Sequence, residues 1–543
     1  MRFATLARNE SMYKTLGLLG VLGLFFSLLG SGTGVTAQPA PAPPAAAKVV
    51  PKGKLVLAWH TGMAPRWLDP LEHDGTATPD NFITALHDAL IKNHRDKLFD
   101  HPGLAERFEL APDTKSATFW LRKGLKFHNG APVTPEDVQF SFENYRGAKA
   151  DVLKDKTERV EIVDDHTVRF HFKEPFLDFL ILLGTSNVSG AGWVVPAKYY
   201  QQVGPDGFKH KPIGAGPYRL VSQEAGTKLE FEAFTDYYRP VHIKQLVMVS
   251  VPEATTRVAM LERGEADIIY VVPGELIDRV KNNPKLMLAP VLSGSWWLEF
   301  TGFQDPKNPF HDKRVREAVS LAIDRRAMNE AETGGLGKIH GNWINNDVQY
   351  ALAWPEFERH LERAKQLMQE AGYPNGFNVD WLTPLPTYYS RGERLIAQLQ
   401  EIGIRAKLQV MERGVFYKKL QGGVQEFPGV QLLLHGARIA GSWAFWYESY
   451  FKCGGFNAKD RVCVPELDAK FAQYEKSTDP VERQRLAHDI QRAILENYYV
   501  VPIFRHAAVA AIGPRLAAQK WQDVFPTITT AYAYPWEDLK LKE

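Results

Sequence analysis

Cysteine is nearly missing from this 543-residue chain: Cys453 and Cys463 are the whole supply. That scarcity excludes a disulfide-stapled mini-domain, and with no further ligands nearby it argues against a thiolate metal site. One local disulfide pinning a loop, in an oxidising compartment, is the expectation for a pair this close around Gly454 and Gly455. Net charge is also scarce, with 65 basic against 63 acidic residues. Without residues 1–37 the balance is 62 of each sign, which gives no electrostatic reason to expect nucleic acid as a partner. Catalytic signatures are absent: there is no Gly-x-Ser-x-Gly elbow, no His-Glu-x-x-His and no Walker loop. The sixteen histidines are scattered, and the loose arrangement of His166 and His171 on one alternating strand reads as solvent-facing. No enzyme, cofactor or metal is therefore expected, although the many carboxylates leave a secreted hydrolase as the contrasting class.

Long apolar runs are confined to one place. Leu16 to Leu29 follows Arg2, Arg8 and Lys14 and precedes the small residues Val35-Thr36-Ala37. The run is shorter than the roughly 20 residues of a spanning helix, so residues 1–37 read as a cleaved signal peptide rather than an anchor. No cysteine lies near the cleavage site for a lipid anchor, and the periplasm is the expected location. Residues 38–51, QPAPAPPAAAKVVP, have a composition that makes an extended tether and no core. The remainder, about 490 residues, is enough for two or three lobes.

Those lobes can be outlined from local chemistry. Residues 119–127 are strand formers interrupted by Gly124, and His128-Asn129-Gly130 is turn chemistry. Thr134 is a natural N-cap, with Pro135 at the first helical position and Val138, Phe142 and Tyr145 at helical spacing behind it. A first strand is expected over 54–59, ending at Trp59, and another over 167–172. Helices are expected near 253–263, 313–323, 388–402 and from 480 onward. Strands are expected over 266–272, 379–382, 404–411, 430–434 and 500–504. Strand and helix alternate through the second half, which predicts a mainly parallel sheet covered on both faces. Gly214-Ala215-Gly216 could suggest a dinucleotide loop, but Pro217 removes a donor that a phosphate would need.

Several of these stretches also carry a resemblance. Leu104-Ala105, Phe119, Leu121-Arg122, Gly124, Lys126-Phe127, Asn129-Gly130, Pro132, Thr134, Glu136-Asp137-Val138 and Phe140-Ser141 together resemble the signature of the extracytoplasmic solute-binding proteins of family 5. These are the dipeptide, oligopeptide and nickel-type receptors of ABC importers. Pro212 to Tyr218, Glu262 to Ile268, Asp312 to Arg325 and Ala364 to Phe377 are similar to further elements of that family. The resemblance implies an α/β type II periplasmic binding protein fold, with two lobes on a hinge plus an extra lobe. On that pattern lobe I is 52–72 with 208–298 and 505–543, the extra lobe II is 73–207, and lobe III is 299–504. Crossings between lobes I and III are expected near 298–302 and 499–504. It implies a monomer that closes on a peptide or related small polar solute and delivers it to a membrane permease. A receptor for an anionic opine, a sugar conjugate or an oligosaccharide is the alternative within transport, and a sensor-linked receptor would look the same.

The resemblance also points to ligand contacts. Peptide-binding relatives have an acid that holds the peptide amine at the position where this chain has Arg438, with His435 in place of an aromatic. An arginine there suits a carboxylate or phosphate, unless Arg438 is a solvated or lobe-bridging residue. Trp443, Trp297 and Trp59 are the aromatic candidates for stacking on ligand, against the commoner role of tryptophan in a core.

Overall fold

The computed structural model describes residues 49–73, 79–92, 101–183, 191–346, 348–386, 388–437, 443–455, 461–525 and 533–543. The segment expected to be a signal peptide, nearly all of the expected tether and Arg438 lie outside these residues. No helix among the described residues is long and apolar enough to cross a membrane.

Ten strands form one sheet: β1 (Lys52–Trp59), β2 (Tyr218–Glu224), β3 (Lys228–Ala233), β4 (Ile243–Ser250), β5 (Ile268–Ile269), β6 (Met287–Thr301), β7 (Phe377–Pro384), β8 (Ile404–Leu408), β9 (Gln431–Ala437) and β10 (Val500–Ile512). Their spatial order is β8-β7-β9-β6-β10-β5-β1-β4-β3-β2. The strand alternation of β1 explains its place. Leu55, Leu57 and Trp59 enter the core on one face, while Ala58, with Val56 beside it, enters the core on the other. A strand buried on both faces belongs inside a sheet, and β1 pairs in parallel with β4 on one side and β5 on the other.

The sheet is mixed rather than mainly parallel, which corrects the expectation from alternation. Parallel pairing joins β1 to β4 and β5, and β7 to β8 and β9. Between these two parallel groups stand the long strands β6 and β10, antiparallel to each other and to their outer neighbours β9 and β5. Pairing between residues some two hundred positions apart leaves no periodic trace in either segment. The β6–β10 ladder runs from Met287↔Ile512 to Glu299↔Val500, with register shifts between Leu292 and Ser295 and between Trp296 and Trp297. The expected crossing segments near 298–302 and 499–504 thus fall largely inside paired strand, and the irregularity lies earlier in β6. Such a bulge leaves a residue unpaired and raises the local twist.

A separate four-stranded antiparallel sheet is built from 105–110, 116–121, 167–172 and 157–164. Helix Pro135–Asn144 covers it, and the Asp137 carboxylate accepts from the Thr134 amide at 2.9 Å, closing the predicted N-terminal cap. Phe119, Phe142, Phe170 and Phe179 pack edge to face or tilted beneath it. This unit reaches the second half of the chain through Lys149–Glu448 at 2.9 Å and Lys156–Glu475 at 2.7 Å.

Candidate functional site

The carboxyl ends of both parallel groups lie near the β6–β10 ribbon, where open α/β sheets collect functional side chains. From one group come His60, directly after β1, and Arg257, in the helix Ala254–Glu262 that follows β4. From the other come Tyr388 and Arg391, after β7, and Arg413, at the start of the helix after β8. The ribbon itself adds Trp296 and His506.

These residues form one buried cluster. Arg391 is 2 % exposed, and its guanidinium lies 4.2 Å from the ring centroid of Trp296 and 4.3 Å from that of Tyr388. Its Nε donates to Glu332 at 3.0 Å and its Nη2 to His506 Nδ1 at 3.2 Å. A guanidinium has no acceptor, so this bond assigns Nδ1 of His506 as the acceptor and leaves the proton on Nε2. His60 is 6 % exposed and rests against Trp59, with ring centroids 4.7 Å apart. Burial holds its imidazole well below the usual histidine range, helped by the charges of Arg413 and Arg257. His506 is lowered in the same way, by burial first and then by Arg391 and His60. Arg257 is braced by four carbonyls, of Val251, Pro252, Tyr270 and Val271, at 2.6 to 2.9 Å. Burial brings its pKa down to about 10 against the pull of Glu253. At the bulge, Ser295 Oγ donates to Asn345 Oδ1 at 2.8 Å and lies 2.9 Å from His340 Nε2.

The cluster is short of partners. Among the described residues, both ring nitrogens of His60, Nε2 of His506, Nη1 of Arg391 and Nδ2 of Asn345 have no hydrogen-bond partner. Buried polar groups are nearly always paired, so several together single this place out as the candidate site.

Of the residues singled out in the sequence, Trp59 borders this cluster, packing on Tyr270 and Phe82 as well as His60. Trp297 and His435 lie elsewhere, in a satisfied internal network. The Glu299 carboxylate accepts from Trp297 Nε1 at 3.0 Å, His435 Nε2 at 2.7 Å and Arg461 Nε at 3.1 Å. Burial would raise the Glu299 pKa, yet the charges of His435 and Arg461 and these hydrogen bonds bring it down to about 2. Trp443 packs against Tyr474 and Phe471, with centroids 4.8 and 5.8 Å away. Cys453 and Cys463 are joined by a disulfide, two residues past Arg461. Sequence reasoning missed His60, His506, Arg257, Arg391, Arg413 and Trp296. The available signal was position, since four of them follow the carboxyl end of a predicted strand. No cluster of three or more metal-binding side chains occurs among the described residues.

Comparison with known proteins agrees with this architecture. Heme-binding protein A of Haemophilus influenzae is 30% identical over 361 residues, which cover 59% of this chain and 64% of that protein. Di/tripeptide-binding protein 1 of Pseudomonas aeruginosa is 25% identical over 472 residues, 81% of this chain and 87% of that protein. The agropinic acid complex of a periplasmic binding protein from A. tumefaciens R10 superimposes with a TM-score of 0.74 at 22% identity, over 90% of this chain and 98% of the other. The Met-Leu complex of a dipeptide-binding protein from Pseudoalteromonas sp. SM9913 gives 0.76 at 20%, over 90% and 100%. The fold is therefore that of the type II periplasmic binding proteins. The family model for bacterial extracellular solute-binding proteins, family 5 Middle, matches residues 101–427, and the chain belongs to that family.

Proposed function

We propose that this protein captures a peptide or related small polar solute between two lobes in the periplasm and delivers it to the permease of an ABC importer. The observation that carries this reading is the buried, partner-poor cluster where the carboxyl ends of both parallel groups face the β6–β10 ribbon. Lobe I comprises 52–72, 208–298 and 505–543, and lobe III comprises 299–504. The bulge between Leu292 and Ser295 is the turning point, because it is the larger interruption in the long ladder. Residues 73–207 form the extra lobe, which meets lobe III through the Lys149–Glu448 and Lys156–Glu475 pairs. Closure buries the solute and presents the permease with one defined shape. Peptide cargo is favoured by the names of relatives, among them di/tripeptide-binding and glutathione-binding proteins. The chain works as a monomer without turning over its cargo, after removal of residues 1–37.

Protein purified from its own periplasm tests this. Native mass spectrometry is expected to find a co-purified small solute on a chain beginning at Gln38. Small-angle scattering is expected to show a smaller radius of gyration on rebinding that solute, with unchanged secondary structure. A ligand at 100 times its dissociation constant adds about 2.7 kcal/mol of stability, enough for a clear melting shift. A chain retaining Met1 in the membrane fraction would sink the export reading, and an unchanged radius at saturation would sink the hinge.

A further inference from the structure

The unpartnered groups at the crossing share a chemical character. Arg391 Nη1 can only donate, and the bond from Arg391 Nη2 to His506 Nδ1 leaves His506 Nε2 as a donor as well. His60, kept neutral by burial, adds one donor nitrogen and one acceptor nitrogen. The charges around them are Arg257, Arg391 and Arg413, all buried. Among the described residues, the buried carboxylate bonded to the cluster is Glu332, shared between Arg391 and the half-exposed Arg394, at 3.0 and 3.1 Å. Unpartnered donors beside buried arginines suit an acceptor that is itself negative. A free ammonium in the same place would meet like charge in a dry setting.

We propose that His60, His506 and Arg391 are the seat of an oxyanion, a carboxylate or a phosphate, carried by the cargo, so that the transported solute is an acid held by its negative group. This rests on the solute-capture reading and deepens it by naming the ligand's chemistry. Arg257 and Arg413 act from behind: their hydrogen bonds to backbone carbonyls fix them in place, and their charge favours an anion without needing to touch it. Trp296 and Tyr388 pack against the Arg391 guanidinium from two directions and limit where it can move.

The test uses the mature protein, stripped of endogenous ligand, and titration calorimetry against matched pairs of solutes. Glutathione, an acidic dipeptide, an opine acid and glucose 6-phosphate are each set against the amidated or unphosphorylated counterpart. The expected result is that an acidic member binds tightest and that its neutral counterpart is weaker by about 100-fold or more. The carboxylate and phosphate pairs tell the two sources of charge apart. Arg391→Gln and His60→Asn should each shrink that gap to within about tenfold. His60→Asn covers the case in which Arg391→Gln, by releasing Glu332, fails to fold. The proposal is overturned if the tightest solute is neutral or cationic, if paired solutes bind within threefold, if the gap survives His60→Asn, or if no acidic solute binds. Solute capture itself is judged separately, by the co-purified ligand and the scattering, so it can stand when the anion assignment falls.

Discussion

A tryptophan beside a histidine, with arginine close by, stands both around Glu299 and at the crossing. Around Glu299 stand Trp297, His435 and Arg461, and each makes a hydrogen bond to it of 3.1 Å or less. At the crossing, Trp296, His506 and Arg391 pack together, but several of the available donors there have no acceptor among the described residues. Composition and burial are nearly the same in the two places. What separates them is where the carboxylate stands: Glu299 takes a hydrogen bond from each of its three neighbours, whereas Glu332 takes one from Arg391 and leaves the nearby histidines untouched. The contrast is expected to appear as stability in the first cluster and as affinity in the second.

The largest effect is predicted for Glu299→Gln. It removes the carboxylate that accepts from buried Arg461 and His435, and breaking a buried ion pair from one side costs about 3–5 kcal/mol. Urea unfolding should read that loss, and a change under 1 kcal/mol would dissolve the distinction between the clusters. Acid should then separate them by pH. Glu299 has its folded pKa lowered from 4.5 to about 2, so its contribution is complete above 4.5 and lost as pH falls toward 2. That loss is on the order of 3 kcal/mol. His60 and His506 are lowered from 6.5, and their neutral burial is therefore fully favourable above pH 6.5 and eroded below it. His87, brought by burial to about 3, adds to the same erosion. Stability measured against pH should fall in two stages, with His60→Asn flattening the upper one and Glu299→Gln the lower.

Replacing both Cys453 and Cys463 by serine comes next, at about 2–3 kcal/mol for so short a loop. Arg461 lies inside the closed loop, so the loss should fall on the Glu299 network and be largely absent in a Glu299→Gln background. A double-mutant cycle in chemical unfolding decides this, with full additivity as the result that would refute it. The smallest effect is expected for His60→Asn in ligand-free protein at pH 7.5, a change within about 1 kcal/mol, because no hydrogen bond to a described residue is lost. A larger destabilisation would place His60 with the structural cluster after all.

Much of the fold was legible in the sequence. The capped helix at Pro135, the helices starting at Lys313 and Pro480 and the strand ending at Trp59 stand where capping and periodicity put them. The antiparallel ribbon was not legible, because its partners are so distant along the chain. The candidate site was less legible still. Adjacent residues in a strand face opposite ways, so choosing between Trp296 and Trp297 meant choosing between the crossing and the Glu299 network. Sequence favoured Trp297, which packs on Glu299, while Trp296 meets Arg391. His435 is drawn to the same interior carboxylate, a partner 136 positions away that no local pattern announces. Arg438 lies outside the described residues, and the positive charge it was expected to bring is supplied here by Arg257, Arg391 and Arg413.

The place of β10 has a consequence for how the molecule comes into being. This strand stands between β6 and β5, near the middle of the sheet, yet it is made of residues 500–512 of 543. During synthesis or translocation, nearly everything else is present before the strand that joins the halves emerges. Such late, long-range pairing makes for slow folding and for intermediates with unpaired strands. A chain cut short of Val500 exposes two sheet edges at once, and open edges are where chains stick to one another.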